Sequence, residues 1–363
     1  MDCMVAACCS HSGAGSRAQV WSYQRLIPML ILSIVLLLGS YRSLSAQATV
    51  SPLSTTARQS VFAPIGNNLA PKIPEALSTA LAFNIFVIGD LVQRQSITYG
   101  RIAVGGNARL ERYRIGDSLP RSRDNRADLI VGGTLIFTDG MVAKGSIVAG
   151  GKASLAKVGI PHGQLREGLP IDFGAQGAAL AELAASLGQL APNGSTQIRD
   201  RRGGRKEIAL IGTDRLINIF AVPGHDLAAA QTLIINVPNG ATVLLNIDGA
   251  ADQLQDIGFA IGKINRQHIL YNFYQAAELT LNDDRIQGSI LAPHARVTFV
   301  QGRLNGTLIG TALTGSGITW PAPFIGQLPT LPDNISASGV AGPAAFVTQS
   351  LPPAASMAGR QST

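Results

Sequence analysis

Between Ile286 and Trp320 the chain alternates short β-branched runs with breakers. Ser289-Ile290-Leu291, Arg296-Val297-Thr298-Phe299 and Gly306-Thr307-Leu308-Ile309 are separated by Gly, Pro and Asn at intervals too tight for helices. Each run has the length of a short strand, and the residues between them form turns. The same cadence occurs earlier, in Gly100 to Ala108, Leu129 to Leu135 and Gly145 to Ala153. Gly-Gly pairs begin at 105, 132 and 150, 27 and then 18 residues apart. A small polar residue, a few apolar ones, a Gly-Gly corner and another short run make up one coil of a β-solenoid. Glycine permits the sharp corner and the close stacking of backbones. The expected fold class is mainly β, a parallel β-helix-like solenoid.

One stretch departs from that cadence. Leu180, Leu183, Leu187 and Leu190 recur at three, four and three, which draws one apolar stripe on a helix over 172–190. Asp172 is its N-cap, and its many alanines let it lie close along a sheet. A short helix follows Pro74, and Phe83 to Asp90 form the first strand. Leu216 to Phe220, Leu233 to Val237 and Val243 to Ile247 read as buried strands, with a helical turn over His225 to Ala230. Asn84, Asn218, Asn236, Asn246 and Asn272 interrupt apolar runs. A buried amide must be hydrogen-bonded, so these residues are expected to form ladders onto neighbouring rungs.

Composition narrows the class. Hydrophobic content of 46% with 14% charge excludes global disorder, and 40 glycines with 5% aromatics suit turn-rich β structure better than an aromatic-lined pocket. Arg17 and Arg25 precede an apolar run from Leu26 to Leu38 that is short for a bilayer span, and Ala46-Gln47-Ala48 follows. Residues 1–48 are therefore expected to be a signal peptide, with an uncleaved membrane anchor as the competing reading. Cys3, Cys8 and Cys9 all lie in this leader, so the mature chain would have no disulfide. The leader carries Arg17, Arg25 and Arg42 against Asp2, so +2 of the net +7 leaves +5 on the mature chain. Residues 49–73 read as a linker, 74–330 as the folded domain and 331–363 as a disordered Ala/Pro/Ser-rich tail.

Candidate chemistry is sparse. Arg109, Arg112, Arg114, Arg121, Arg123 and Arg126 fall between two Gly-Gly rungs, interleaved with Glu111, Asp117, Asp124 and Asp128. They are expected on a loop leaving the solenoid, either as locally paired solvated charge or as an anion-binding patch. Arg199 to Glu207 reads as a charged turn; without interleaved aromatics or a known signature it does not indicate nucleic acid. His162, His225, His268 and His294 make no short metal-ligand spacing, and no nucleophile elbow or phosphate loop is present. Asp283-Asp284 is the one adjacent acidic pair, and it reads as a polar turn rather than a glycosidase centre. No enzyme, cofactor or metal is expected. Asn193, Asn305 and Asn334 head N-glycosylation sequons, Asn305 being alternatively a buried ladder residue.

Residues from about Leu77 to Pro329 resemble the choice-of-anchor A domain, an adhesive domain of secreted and surface-attached proteins. The matching stretches include Ala82 to Asp90, Leu129 to Gly133, Pro170 to Phe173, Val237 to Ala241 and Tyr271-Asn272-Phe273. The most specific are Gly288 to Pro293 and Asn305 to Ile309. The resemblance implies a non-catalytic adhesive β-solenoid with the helix alongside, and a collagen-binding association in some relatives. The residues after Thr330 show no sorting motif, terminal apolar helix or GPI-type tail, so release, or attachment through the N-terminus or by non-covalent contacts, is expected. The expected function is thus a secreted or surface-associated adhesion or matrix-binding protein. Its expected partner is an extracellular matrix protein, a polysaccharide or a cell-surface glycan, with membrane contact only through an uncleaved N-terminal segment. The rivals are an ice-binding solenoid, disfavoured by Arg296 and by the lack of an aligned Thr-x-Thr array, and a polysaccharide-active β-helix enzyme.

Overall fold

In the computed structural model, residues 73–122 and 126–330 are described; the expected leader, all but the last residue of the expected linker, the expected tail, Arg123 and Asn334 lie outside them. Helix α1 (Glu75–Leu81) opens the domain. The chain then winds through β1 (Ile85–Val87), β2 (Leu91–Thr98), β3 (Ile102–Val104), β4 (Ala108–Ile115), β5 (Ala127–Val131), β6 (Leu135–Val142), β7 (Ser146–Ala149), β8 (Ala153–Gly159) and β9 (Leu165–Glu167). Helix α2 (Phe173–Gly188) follows. Beyond it come β10 (Ser195–Asp200), β11 (Lys206–Ile211), β12 (Ile217–Pro223), the short helix α3 (Gly224–Ala228), β13 (Ala230–Asn236), β14 (Thr242–Asp248), β15 (Ala251–Gln255) and β16 (Gly258–Ala260). The last coils are β17 (Ile269–Phe273), β18 (Glu278–Gln287), β19 (Ser289–Asn305), β20 (Leu308–Gly315) and β21 (Ile318–Trp320).

The strands stack into a parallel solenoid whose spatial order is not its sequence order. Its first face runs β9, β7, β5, β3, β1, β20, β19, β17, β14, β12, every pair parallel. The chain therefore starts mid-stack, winds to one end, crosses back and begins again at the far end. It closes where β20 meets β1, with Phe86 level with Ile309. Both halves climb in the same direction, which requires a return crossing, and α2 supplies it. Sixteen helical residues span about 24 Å, and four rung spacings about 19 Å. Phe173 stacks on Phe86 at 5.3 Å beside β1, while the other end of α2 meets β14 and β17 through Asn246 and Asn272.

Burial explains the two strand grammars. First-face strands such as Ile85–Val87 and Ser146–Ala149 are buried throughout, between the solenoid interior and the helices. Ile85, Val87, Leu110, Phe137 and Phe299 fill the interior, whereas Phe86, Ile130, Leu270 and Ile309 form a second core with Leu180, Leu183 and Leu187 of α2. Strands on the other faces alternate, as in β4, because one side meets solvent. The Gly-Gly corners stack as expected: Gly106 donates to Gly89, Gly133 to Gly106 and Gly151 to Gly133, at 2.8 to 3.1 Å. A Cβ on Gly132 would collide with the carbonyl oxygen of Gly105.

Asp172 caps α2 as expected, accepting from the Ala175 N–H at 3.0 Å. The amide ladder holds at Asn246 and Asn272, which bond to each other and to α2 carbonyls. Asn84 donates to the Gly306 carbonyl, while Asn218 closes a local loop with Asp214. Asn236 departs from the expectation, being exposed at the end of β13. Its strand belongs to a second, four-stranded sheet of β10, β11, β13 and β16. The charged turn is the connection between β10 and β11.

Candidate binding face

The second face of the solenoid orders β8, β6, β4, β2, β20, β19, β18 and β15, again all parallel. Among the described residues the only helix against it is the short α3 at its terminal strand β15, where Gln253 donates to the Ala228 carbonyl, in contrast to the long α2 along the first face. Alternation turns Leu91, Leu110, Phe137, Val297 and Leu313 inward and leaves two outward columns. One column aligns Gln253, Thr280, Thr298, Thr314, Val92, Arg109, Ile136 and Ser154. Alongside it run Ala251, Glu278, Arg296 and Ala312. The three threonines occupy consecutive rungs, so their side chains repeat about every 4.8 Å along the axis. Thr280, Thr298 and Thr314 line a shallow trough of about 250 Å³ with Glu278, Arg296 and Ala312. The threonines are 16 to 18 residues apart in the chain. A scan for Thr-x-Thr within one strand therefore misses them.

A third face is formed by the C-terminal parts of β8, β6, β4 and β2, by β21 and by the ends of β19 and β18; in four rungs its corner with the second face is made by non-glycine residues at positive φ. Gln95, Arg112, Asp139 and Lys157 have φ of 50°, 49°, 55° and 57° and occupy equivalent places in successive rungs. On the third face the rings of Tyr99 and Trp320 stack at 3.7 Å, with Arg303 over Trp320 at 5.9 Å.

The arginines expected on one loop are dispersed. Arg109, Arg112 and Arg114 lie on β4, within a rung, because strand alternation and the corner absorb the charged residues. Arg109 projects from the second face beside Val92 and Ile136, whereas Arg112 stands at the corner. Arg114 sits on the third face, in a forked pair with Asp117 at 2.9 and 3.0 Å that raises its pKa. Arg126 is structural: it bonds the fully buried Asp128 at 2.6 Å and the Pro120 carbonyl at 2.9 Å, and the hydrogen bond to Asp128 raises its pKa. Arg121 is exposed in the connection after β4, and Arg123 lies outside the described residues.

The sequons divide likewise. The Asn193 side chain donates to the Ile217 carbonyl and accepts from the Ile219 N–H, sealing the edge of β12. Asn305 is half-buried and its side chain joins no amide ladder among the described residues, which corrects the ladder alternative. Its sequon partner Thr307 is fully buried and donates to the Phe83 carbonyl. Among the described residues no group of three or more His, Cys, Asp or Glu side chains could hold a metal. A concavity of about 900 Å³ lies apart from the threonine column, between β16 and the side chains of Arg266 and Arg285.

The fold and this face define a class: a parallel β-solenoid with one side covered by a long helix and one sheet face left open except at β15. Residues 76–319 match the family model described as "Putative Ice-binding-like adhesive domain", and the chain belongs to that adhesive-domain family. No match is found among curated proteins. Solved structures similar to this chain include an ice-binding protein from the Antarctic ascomycete Antarctomyces psychrotrophicus. It is 11% identical over 70% of this chain and 98% of that one, with a TM-score of 0.28. An ice-binding protein from an Antarctic biological consortium is 11% identical over 70% of this chain and 94% of that one, at 0.31. The fold assignment rests on the strand pairing.

Proposed function

We propose that this chain is a secreted or surface-associated, non-catalytic adhesive domain that holds an extended extracellular ligand against its second face. The run of eight parallel strands, bare apart from α3 at β15, carries the proposal. It offers a flat surface with side chains repeated at each rung, suited to a matrix protein, a polysaccharide or a cell-surface glycan rather than to a small molecule in a pocket. Membership of the adhesive-domain family supports the same reading, as does the choice-of-anchor A likeness over nearly the same residues. The domain would act outside the cell or at its surface. Among the described residues no helix is long and apolar enough to cross a membrane.

A second reading, ice recognition, is favoured by the aligned Thr280, Thr298 and Thr314. Arg296 and Arg109 interrupt that regularity with long charged side chains, which suits a polymeric ligand better. The test is binding of the full chain to collagens, acidic and neutral polysaccharides and ice across a salt series, with Thr298→Arg and Arg109→Ala beside it. Saturable polymer binding lost in Thr298→Arg supports adhesion through this face. Adsorption to ice lost in the same variant transfers the face to ice, and polymer binding untouched by both substitutions removes the face from consideration.

A further inference from the structure

Asp252 on β15 stands in register with Leu279 and faces the solenoid interior. It is 5% exposed, and among the described residues neither of its carboxylate oxygens has a hydrogen-bond partner. A buried carboxylate is tolerated when a proton or a cation neutralises it. Its Oδ1 is directed at the corner where β14 turns into β15 beneath the start of α3. A Cβ on Gly249 would lie 2.6 Å from that oxygen, and one on Gly224 would collide with it and with the Asp248 carbonyl oxygen.

Other oxygens border the same corner. The Asp248 carboxylate accepts the Gly224 N–H at 2.9 Å, and the Gln275 amide oxygen accepts the Gly249 N–H at 3.2 Å. Among the described residues neither Asp248 nor Asp252 forms an ion pair with a basic side chain.

We propose that this corner is a calcium site, with the carboxylates of Asp252 and Asp248 as anionic ligands and the Asp248 carbonyl and Gln275 amide oxygens as neutral ones. An all-oxygen set of carboxylate, carbonyl and amide donors at an irregular bend suits calcium, which accepts variable geometry. Magnesium demands a near-ideal octahedron, and zinc prefers nitrogen and sulfur. Bound there, the ion ties the β14–β15 corner to the first turn of α3, the helix that packs over β15. It would thereby lock the covered end of the solenoid.

The test is calorimetric titration of the full chain with calcium chloride and separately with magnesium chloride at pH 7.5, paired with thermal melts in calcium and in EDTA. Wild type should bind one calcium ion, with magnesium weaker. At calcium about 100 times the dissociation constant the melting temperature should rise by about 5 °C or more. Asp252→Asn should lose both the binding heat and the shift, yet melt in EDTA no lower than wild type, because its uncompensated charge is gone. Asp248→Asn, at an exposed position, should weaken binding without changing the melt in EDTA. Absence of saturable binding up to about 10 mM, beyond the range of extracellular calcium modules, overturns the site. So does Asp252→Asn or Asp248→Asn binding calcium as wild type does.

Discussion

Asn272 donates its side-chain amide to Asn246 Oδ1 at 2.9 Å, one rung away, and to the carbonyl of Ala184 in α2, also at 2.9 Å. Asn246 in turn donates to Leu187 of the same helix. Two amides on adjacent strands therefore hold the C-terminal end of the returning helix against the first face. Replacing Asn272 by Ala strands a buried acceptor on each partner and should cost about 1–3 kcal/mol. Chemical denaturation of the full chain measures it. A loss no larger than that of an exposed substitution such as Asn236→Ala would show that apolar packing alone docks α2.

Asp252 gives stability a pH dependence. Its folded pKa, about 6, is above the ordinary aspartate value, so the folded state binds the proton more tightly than the unfolded chain. That contribution is fully present below the unfolded pKa and is lost as pH rises through the folded one. In EDTA, thermal melts should therefore show stability falling between about pH 4 and pH 6 from this group, with Asp252→Asn removing that component. An unchanged pH profile in the variant would mean that Asp252 is solvated.

The corner column stores backbone strain. Lys157 has a φ of 57°, a conformation that costs a side-chain-bearing residue about 1–2 kcal/mol and glycine almost nothing. Lys157→Gly should therefore raise stability by about 0.5–1 kcal/mol, after allowance for the greater freedom of glycine in the unfolded chain. A decrease in denaturation midpoint would count against the corner as a strained site.

Gly132 is constrained by space rather than by φ. Its rung lies on Gly105 so closely that any Cβ meets a backbone carbonyl, which cannot move without disturbing the ladder. Gly132→Ala should destabilise by about 1–3 kcal/mol, whereas Gly203→Ala, at an open turn, should show only the smaller effect of its positive φ. Equal losses at the two positions would remove close stacking as the reason for the Gly-Gly pairs.

Much of the architecture was legible in the chain because local rules govern it. The Gly-Gly cadence, the apolar runs and the leucine stripe after Asp172 specify rungs and one amphipathic helix, and neighbouring residues decide each. The arginine cluster misled for the converse reason. Arg109, Arg112 and Arg114 are close in sequence, but strand alternation and the corner send them to the second face, the corner and the third face. Asn236 likewise matched the pattern of the ladder residues while its strand belonged to the other sheet.

The sequence by itself determined the strand-and-turn rhythm, the helix and the balance of apolar to charged residues, all set by conformational preference and burial over short distances. Only the tertiary structure decided that β1 lies beside β20, that Thr280, Thr298 and Thr314 form one column, and that Asp252 is enclosed with Asp248 nearby. Those relationships depend on register between rungs and on α2 returning the chain to the far end of the stack. The physical reason is that strand pairing is satisfied by any backbone of matching shape. Which rungs become neighbours is chosen by the packing of the whole.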